Sequence, residues 1–384
     1  MTLLDRHIFR SALATCLAAV AVFMFVIMTA NIAKDLAAPD ALGKLSWFQI
    51  GRLLLLLAPI GAMYGLPLGM LVGVLLALSR LAADNEITGM RAAGVSLKRI
   101  AAPIIVLGLI GTAVEIPVSF GFMPRARVQY QHDFEEAVRA NPLNFIVPRT
   151  FVRSFSKAVI FVGDRKDRNI SDIWFWKLDD QNRVKDLVHA RSGAVDYDPA
   201  SFALILTLRD CLEEKLGDAN PEDYADKDAL PVITTMASLD PSPISLKGIF
   251  SRTTSRQKLD WMTHRELEAE RIRRSQDKTL SPSERVHAVM QVKMTIVDKL
   301  TWGVAVFALA FVAVPLGIQV SRRETSASLV LGVVIGLSYY AMTRAVDLLD
   351  RHPEVRPDLL LWLPIVLVFA VGIALFRHID RRRA

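Results

Sequence analysis

Charged residues are missing from six long stretches of this 384-residue chain: Ser11–Ile32, Leu53–Ser79, Ile100–Met123, Leu300–Ser321, Thr325–Thr343 and Leu359–Phe376. Each is long enough to cross a bilayer core as a helix, which takes roughly 20 residues. Glu115 is the only charge within them. Between the third and fourth lies a polar segment of more than 150 residues. The pattern predicts an α-helical membrane protein. Six transmembrane helices, three plus three, flank one large extracytoplasmic insert. The expected divisions are 1–130, 131–280 and 281–384.

The insert changes period. Short runs rich in β-branched and aromatic residues recur at Asn144–Phe155, Ala158–Gly163, Ile170–Leu178, Leu187–Tyr197, Phe202–Arg209 and Pro231–Ala237. Turn signals such as Gly163-Asp164 and Asp198-Pro199 separate them. Such spacing predicts a β-sandwich or open barrel. Phe151, Val159, Phe161, Ile173 and Phe175 are its candidate core or slot residues. The acidic stretch Leu216–Lys227 reads as a loop. Helix follows. Thr263 with Glu266 three residues on fits a capping box, for a charged helix to about Ser275. Ser281-Pro282-Ser283-Glu284 opens another, which has no stop signal before the fourth span.

Composition refines this picture. Hydrophobic residues make up 52% of the chain, and the formal net charge is +7. The basic residues cluster at span ends, as membrane topology demands, and do not suggest nucleic-acid binding. One set of loops and termini, including Arg6, Arg10, Arg91, Lys98 and Arg377, holds twelve Lys and Arg; the opposite set holds six. The richer side is expected to be cytoplasmic, with both termini inside and the insert outside. The first apolar run exceeds a signal peptide's usual core of about 7–15 residues, so it reads as an uncleaved span. Cys16 lies in that run and Cys211 in the insert, so no internal disulfide is expected.

Motifs for chemistry are sparse. The chain has no GxxxxGK[ST], HExxH or GxSxG, and its histidines do not pair at metal-ligand spacing. No catalytic residue, metal or cofactor is expected. The loop after the second span is richer: LAADNEITGMRAAGVSLKRI, residues 81–100. Asp84 or Asn85 caps a short helix and Gly94 ends it. Ile87, Met90 and Gly94 share one face, with Glu86 and Arg91 at its rim. Two readings stand for this element: a helix that slots into a groove of a cytoplasmic partner, or a turn floating on headgroups.

That loop resembles the coupling-helix region of the LptF/LptG permeases of lipopolysaccharide export. The opening LDRHIFR, Leu4–Arg10, resembles the same family, and so does VPLGIQVSRRETSASLVLG, Val314–Gly332. The form around Pro315 is slightly nearer LptF. The resemblance implies a β-jellyroll in the periplasm and a heterodimer of LptF and LptG in a Gram-negative inner membrane. It also implies an LptB-like cytoplasmic ATPase pair, an LptC-like helix and a periplasmic bridge that receives the lipid. Ile87 and Met90, with Glu86 and Arg91, then carry the ATPase stroke.

The expected function is a permease half of an ATP-driven lipopolysaccharide exporter. The alternatives are a mechanotransmission permease for another substrate, a secondary transporter and a membrane scaffold. Basic residues at the outer span ends are candidates to hold lipid phosphates: Lys34, Arg52, Arg125, Arg127, Lys299 and Arg344. The resemblance supports Lys34; the others rest on position, and reaching to ordinary headgroups explains them equally. Glu115 pairs with a basic residue, faces a wet cavity, is protonated, or reaches the headgroups from a boundary position.

Overall fold

The computed structural model describes residues 3–35, 47–140, 148–152, 158–166, 168–179, 183–198, 201, 203–215, 232–245, 259–320, 325–351 and 353–381. The chain forms two compact units. One gathers Met1–Ile32, Leu54–Gln129 and Ser255–Ala384; the other gathers Ala33–Leu53 and Tyr130–Thr254.

The first unit is helical. The helices are α1 (Leu3–Asp35), α2 (Trp47–Ala83), α3 (Glu86–Ala92), α4 (Leu97–Pro117), α5 (Met123–Ala140), α6 (His264–Gln276), α7 (Pro282–Val320), α8 (Thr325–Asp347), α9 (Pro357–Leu360) and α10 (Leu363–Arg381); residues 33–35 of α1, 47–53 of α2 and 130–140 of α5 belong to the other unit. A π-helical turn, Val118–Phe122, joins α4 to α5 directly after Pro117. Among the described residues, six helical stretches are long and apolar enough to cross a membrane: Leu3–Asn31, Phe48–Ala83, Leu97–Asp133, Pro282–Gln319, Ser328–Asp347 and Pro357–Ile379.

Small residues decide how these helices pack. Lipid offers no hydrophobic drive between helices, so close backbone approach and polar bonds take over. Gly61, Gly65, Gly69 and Gly73 recur every fourth residue along α2 and face α1. A Cβ at Gly69 would sit 2.6 Å from the Val20 Cα, and one at Gly73 2.4 Å from the Cys16 Cα. On another side of α2, Gly332 and Gly336 of α8 meet Val72 and Leu68, and the Ser79 and Ser328 hydroxyls bond each other. α4 closes on α7 through Gly108, Gly111 and Gly303, and Thr112 donates to the Gly303 carbonyl at 3.0 Å. α2 and α7 are the most enclosed spans.

α7 starts at the predicted cap. The Ser281 N–H donates to Glu284 at 2.9 Å, and the Glu284 N–H returns to the Ser281 hydroxyl at 3.3 Å. With no break thereafter, the helix extends about 58 Å at 1.5 Å per residue. α6 was expected to close the soluble domain. It packs on α7, because Leu267 and Leu259 bury against Val292 and Arg274 donates to the Ala288 carbonyl at 3.2 Å.

The second unit holds a six-stranded antiparallel sheet: β1 (Thr150–Val152), β2 (Ala158–Lys166), β3 (Asn169–Leu178), β4 (Val184–Asp198), β5 (Ala203–Lys215) and β6 (Val232–Ser245). The spatial order follows the chain order, so it is a meander with no crossover among the described strands. Strand alternation sorts its side chains. Ile160, Val162, Ile173, Val188, Ala190, Leu204, Leu206 and Leu208 form the core on one face, with Phe175 and Tyr197 at its margin. Phe151 and Phe161 lie on the other face, their rings 4.9 Å apart. Pro241 and Pro243 sit in β6, an edge strand where a missing N–H is tolerated. The expected loop at Leu216–Lys227 lies outside the described residues.

Candidate functional site

The helical unit carries two groups of polar residues. One surrounds α3. The Asn85 backbone is left-handed at φ 60° and its side chain makes no cap bond, so the helix starts without the expected side-chain cap. Gly94, at φ +82°, ends it. The Gly94 N–H bonds the Arg91 carbonyl and the Val95 N–H bonds that of Met90, each at 3.0 Å, which is a Schellman closure. Ile87 and Met90 are buried in the bundle. The face expected to enter a partner groove therefore anchors α3 to its own chain, because two apolar side chains on one helical turn gain most from the adjacent bundle. Glu86, Thr88 and Gly89 point outward, and Arg91 is half-buried. The His7 imidazole lies 3.0 Å from the Glu86 carboxylate, and Arg99 lies 3.8 Å from Asp5. Both contacts tie the first turns of α1 to the α3 region.

The other group occupies the half of the bundle away from α3. As α4 ascends, α7 descends: Gly111 meets Val306, Thr112 bonds Gly303, and Phe120 comes within 6.0 Å of the Lys299 ammonium. This register puts Glu115 level with Trp302. Glu115, Ser119 and Trp302 are almost wholly buried. Among the described residues neither Glu115 oxygen, nor the Ser119 hydroxyl, nor the Trp302 N–H has a hydrogen-bond partner. Burial of Glu115 removes the headgroup-reaching reading. Trp302 is also the centre of an aromatic wall. The Trp302 ring meets Tyr64 at 5.1 Å and Tyr339 at 5.5 Å, both edge-on, and Tyr340 at 6.5 Å. Buried, unpaired polar groups at membrane depth beside a π-turn make this a candidate functional position.

The candidate cations fall in different settings. Lys299 is 1% exposed and donates to the carbonyls of Asp260 at 2.9 Å and Met262 at 2.8 Å, clamping the turn before α6 onto α7. Arg344 bonds Asp347 at 2.6 Å, lies 3.9 Å from Asp298 and stacks over Tyr340 at 5.3 Å. Arg127 lies over the Trp261 ring at 5.4 Å, and Arg125 is exposed. In the sheet unit, Arg52 pairs with Asp133 at 2.7 Å. Lys34 falls in the last turn of α1; its side chain and Lys44 lie outside the described structure.

Around α6 the charges are locally matched. Glu266 accepts from the Thr263 N–H at 2.8 Å and its hydroxyl at 2.9 Å, and these bonds hold its carboxyl below the usual range. Burial pushes Glu270 upward, but hydrogen bonds from Arg273 and Arg274 outweigh it and its carboxyl also lies low. His132, Asp133 and Glu136 bring three ligand atoms within 4.8 Å of one another, but Asp133 is already neutralised by Arg52. Cys16 and Cys211 are buried thiols outside any disulfide, in different units.

The sequence reading missed the aromatic wall. Its members lie inside apolar runs and read there as ordinary span residues. The spacing of Trp302 three residues after Lys299, and of Tyr340 four before Arg344, was the available signal. It also missed the sheet's aromatic row, in which Phe151, Trp176, Trp174 and His189 follow one another with centroids 5.7, 6.1 and 4.1 Å apart.

A sequence model of the family described as Lipopolysaccharide export system permease LptF/LptG matches residues 6–378, nearly the whole chain. A search of curated proteins finds no match.

Proposed function

Because this chain belongs to the LptF/LptG family of lipopolysaccharide export permeases, we propose that it is one permease half of an ATP-driven exporter that lifts lipopolysaccharide out of the inner membrane. It is a multi-pass inner-membrane protein, and the family implies a heterodimer of two such chains. In this reading both termini and α3 face the cytoplasm and the sheet faces the periplasm. An LptB-like ATPase dimer docks on α3, and an LptC-like partner and periplasmic bridge receive the lipid.

The observation that carries this reading is α3. A short helix is pinned to the bundle by Ile87 and Met90 and presents Glu86 and Thr88, in a chain without a nucleotide-binding motif. A partner pushing on it displaces α2 and α4 together, since α3 is the link between them. Substrate contact belongs to the opposite half. Arg344 holds lipid phosphates there, Arg125 and Arg127 add positive potential, and Glu115 with the aromatic wall forms a polar step; Lys34 and Arg52, in the other unit, are further candidates to hold phosphate and add positive potential. Lys299 must first leave its two carbonyls to take part. In the sheet, the apolar face between β2 and β5 supplies the dry surface an acyl chain needs, in line with the family's jellyroll. The aromatic face, interrupted by Asp172 and His189, suits protein docking.

The experiment is ATP-dependent release of lipopolysaccharide from proteoliposomes containing this chain, its permease partner and the ATPase. Release that stops when the ATPase is omitted supports the proposal. Release that persists without it, or depends only on an ion gradient, contradicts it.

A further inference from the structure

We propose that a groove between α4, α7 and α10 binds an anionic phospholipid of the leaflet next to the basic loops, an ordinary membrane lipid distinct from the cargo. The groove has a volume of about 360 Å³, within the range of ligand pockets. Its floor is apolar, formed chiefly by Ile105, Phe311, Ile373 and Phe376, and Lys98 and Arg377 stand in its lining. Lys98 lies in the first turn of α4 and Arg377 near the end of α10, where helices leave the hydrocarbon.

Two observations make this a site for an amphiphilic anion. First, two of the neighbouring cations are paired within the protein: Arg99 approaches Asp5 at 3.8 Å and Arg80 approaches Asp84 at 4.0 Å. Lys98 and Arg377 have no ion pair among the described residues, although they share one groove. Second, the floor is braced. Phe311 stacks on Phe369 with centroids 4.8 Å apart and planes 7° apart, and on Phe376 at 6.3 Å. Gly372 lets α10 approach so closely that a Cβ there would lie 2.9 Å from the Phe311 ring. A free phosphate would engage the cations and leave the aromatic floor unmatched. A lipid matches both, with its phosphate between Lys98 and Arg377 and its chains on the phenylalanines.

Native mass spectrometry of the full-length chain, delipidated and then titrated with dioleoyl phosphatidylglycerol or dioleoyl phosphatidylcholine, tests this. The wild type should retain the anionic lipid preferentially. K98E/R377E should lower that retention on the order of tenfold, and K98Q/R377Q should lower it less. R6E/R10E makes the same change in net charge outside the groove and should leave retention unchanged. A photo-crosslinker at Ile373 in membranes should capture phospholipid. Equal retention of the two lipids, equal loss in both charge-reversal pairs, or displacement by glycerol phosphate would overturn the proposal. So would capture of a protein instead of lipid at Ile373.

Discussion

The His7 imidazole and the Glu86 carboxylate, 79 positions apart in sequence, meet at 3.0 Å. The contact links the first helix to the element on which we place the ATPase. Glu86 is exposed on its other side and so can serve a partner as well.

Glu86→Ala should weaken ATPase association or leave hydrolysis running without export, and Glu86→Lys should do so more severely. His7→Ala should give a milder form of the same defect. Complex assembly, hydrolysis and lipid release measured together decide it. Wild-type values in both Glu86 variants would reduce α3 to a turn.

Glu115 trades stability for use. A buried carboxyl without a partner is unfavourable, so Glu115→Leu should raise stability by about 1–3 kcal/mol. Thermal unfolding reports that gain, and export should fall in the same variant. Full export by Glu115→Leu would show that the carboxyl has no role in transport.

The cations should separate by setting. Lys34→Glu should cut lipid binding and leave folding and ATPase assembly intact, while Lys44→Glu should be mild. Lys299→Met leaves two carbonyls without their donor and should destabilise by about 1–3 kcal/mol for each group that water cannot reach. Arg344→Glu breaks the bond to Asp347, so Arg344→Gln is the cleaner probe of phosphate binding. Equal binding losses at Lys34 and Lys44 would mean general electrostatics.

The cap at Thr263 has a defined pH dependence. The Glu266 carboxyl is lowered in the folded state, so its contribution is complete above the unfolded value of about 4.5 and is lost as pH falls through the folded value. Thr263→Ala should cost about 1 kcal/mol at neutral pH. Unfolding curves from pH 7 down to pH 3 should show the two proteins converging in acid. A gap that widens in acid would contradict the assignment.

Much of this fold was legible because charge cannot be hidden in lipid. The apolar runs, the caps at Thr263 and Ser281 and the Gly94 stop are local signals, and the structure realises each. Packing was harder to read. The Gly61, Gly65, Gly69 and Gly73 ladder was visible at spacing four, but its partner could not be named without α1 beside it. The placement of α6 turned on Leu267 meeting Val292, a contact that no local pattern announces. Ile87 and Met90 show the same limit: helical spacing gives a face, but not whether that face meets a partner or the chain's own bundle. Lys299 and Arg344 look alike in sequence, and only tertiary structure shows one capping carbonyls and the other paired with carboxylates.

We propose that this chain works as a permease half driven by a separate ATPase on lipopolysaccharide. A mass spectrum of the intact complex from native membranes tests it most directly. That spectrum should show one copy of this chain, one second permease half, two ATPase subunits and a bound acylated phospho-sugar lipid. A complex with no ATPase, or one that retains only ordinary phospholipid during turnover, would contradict it.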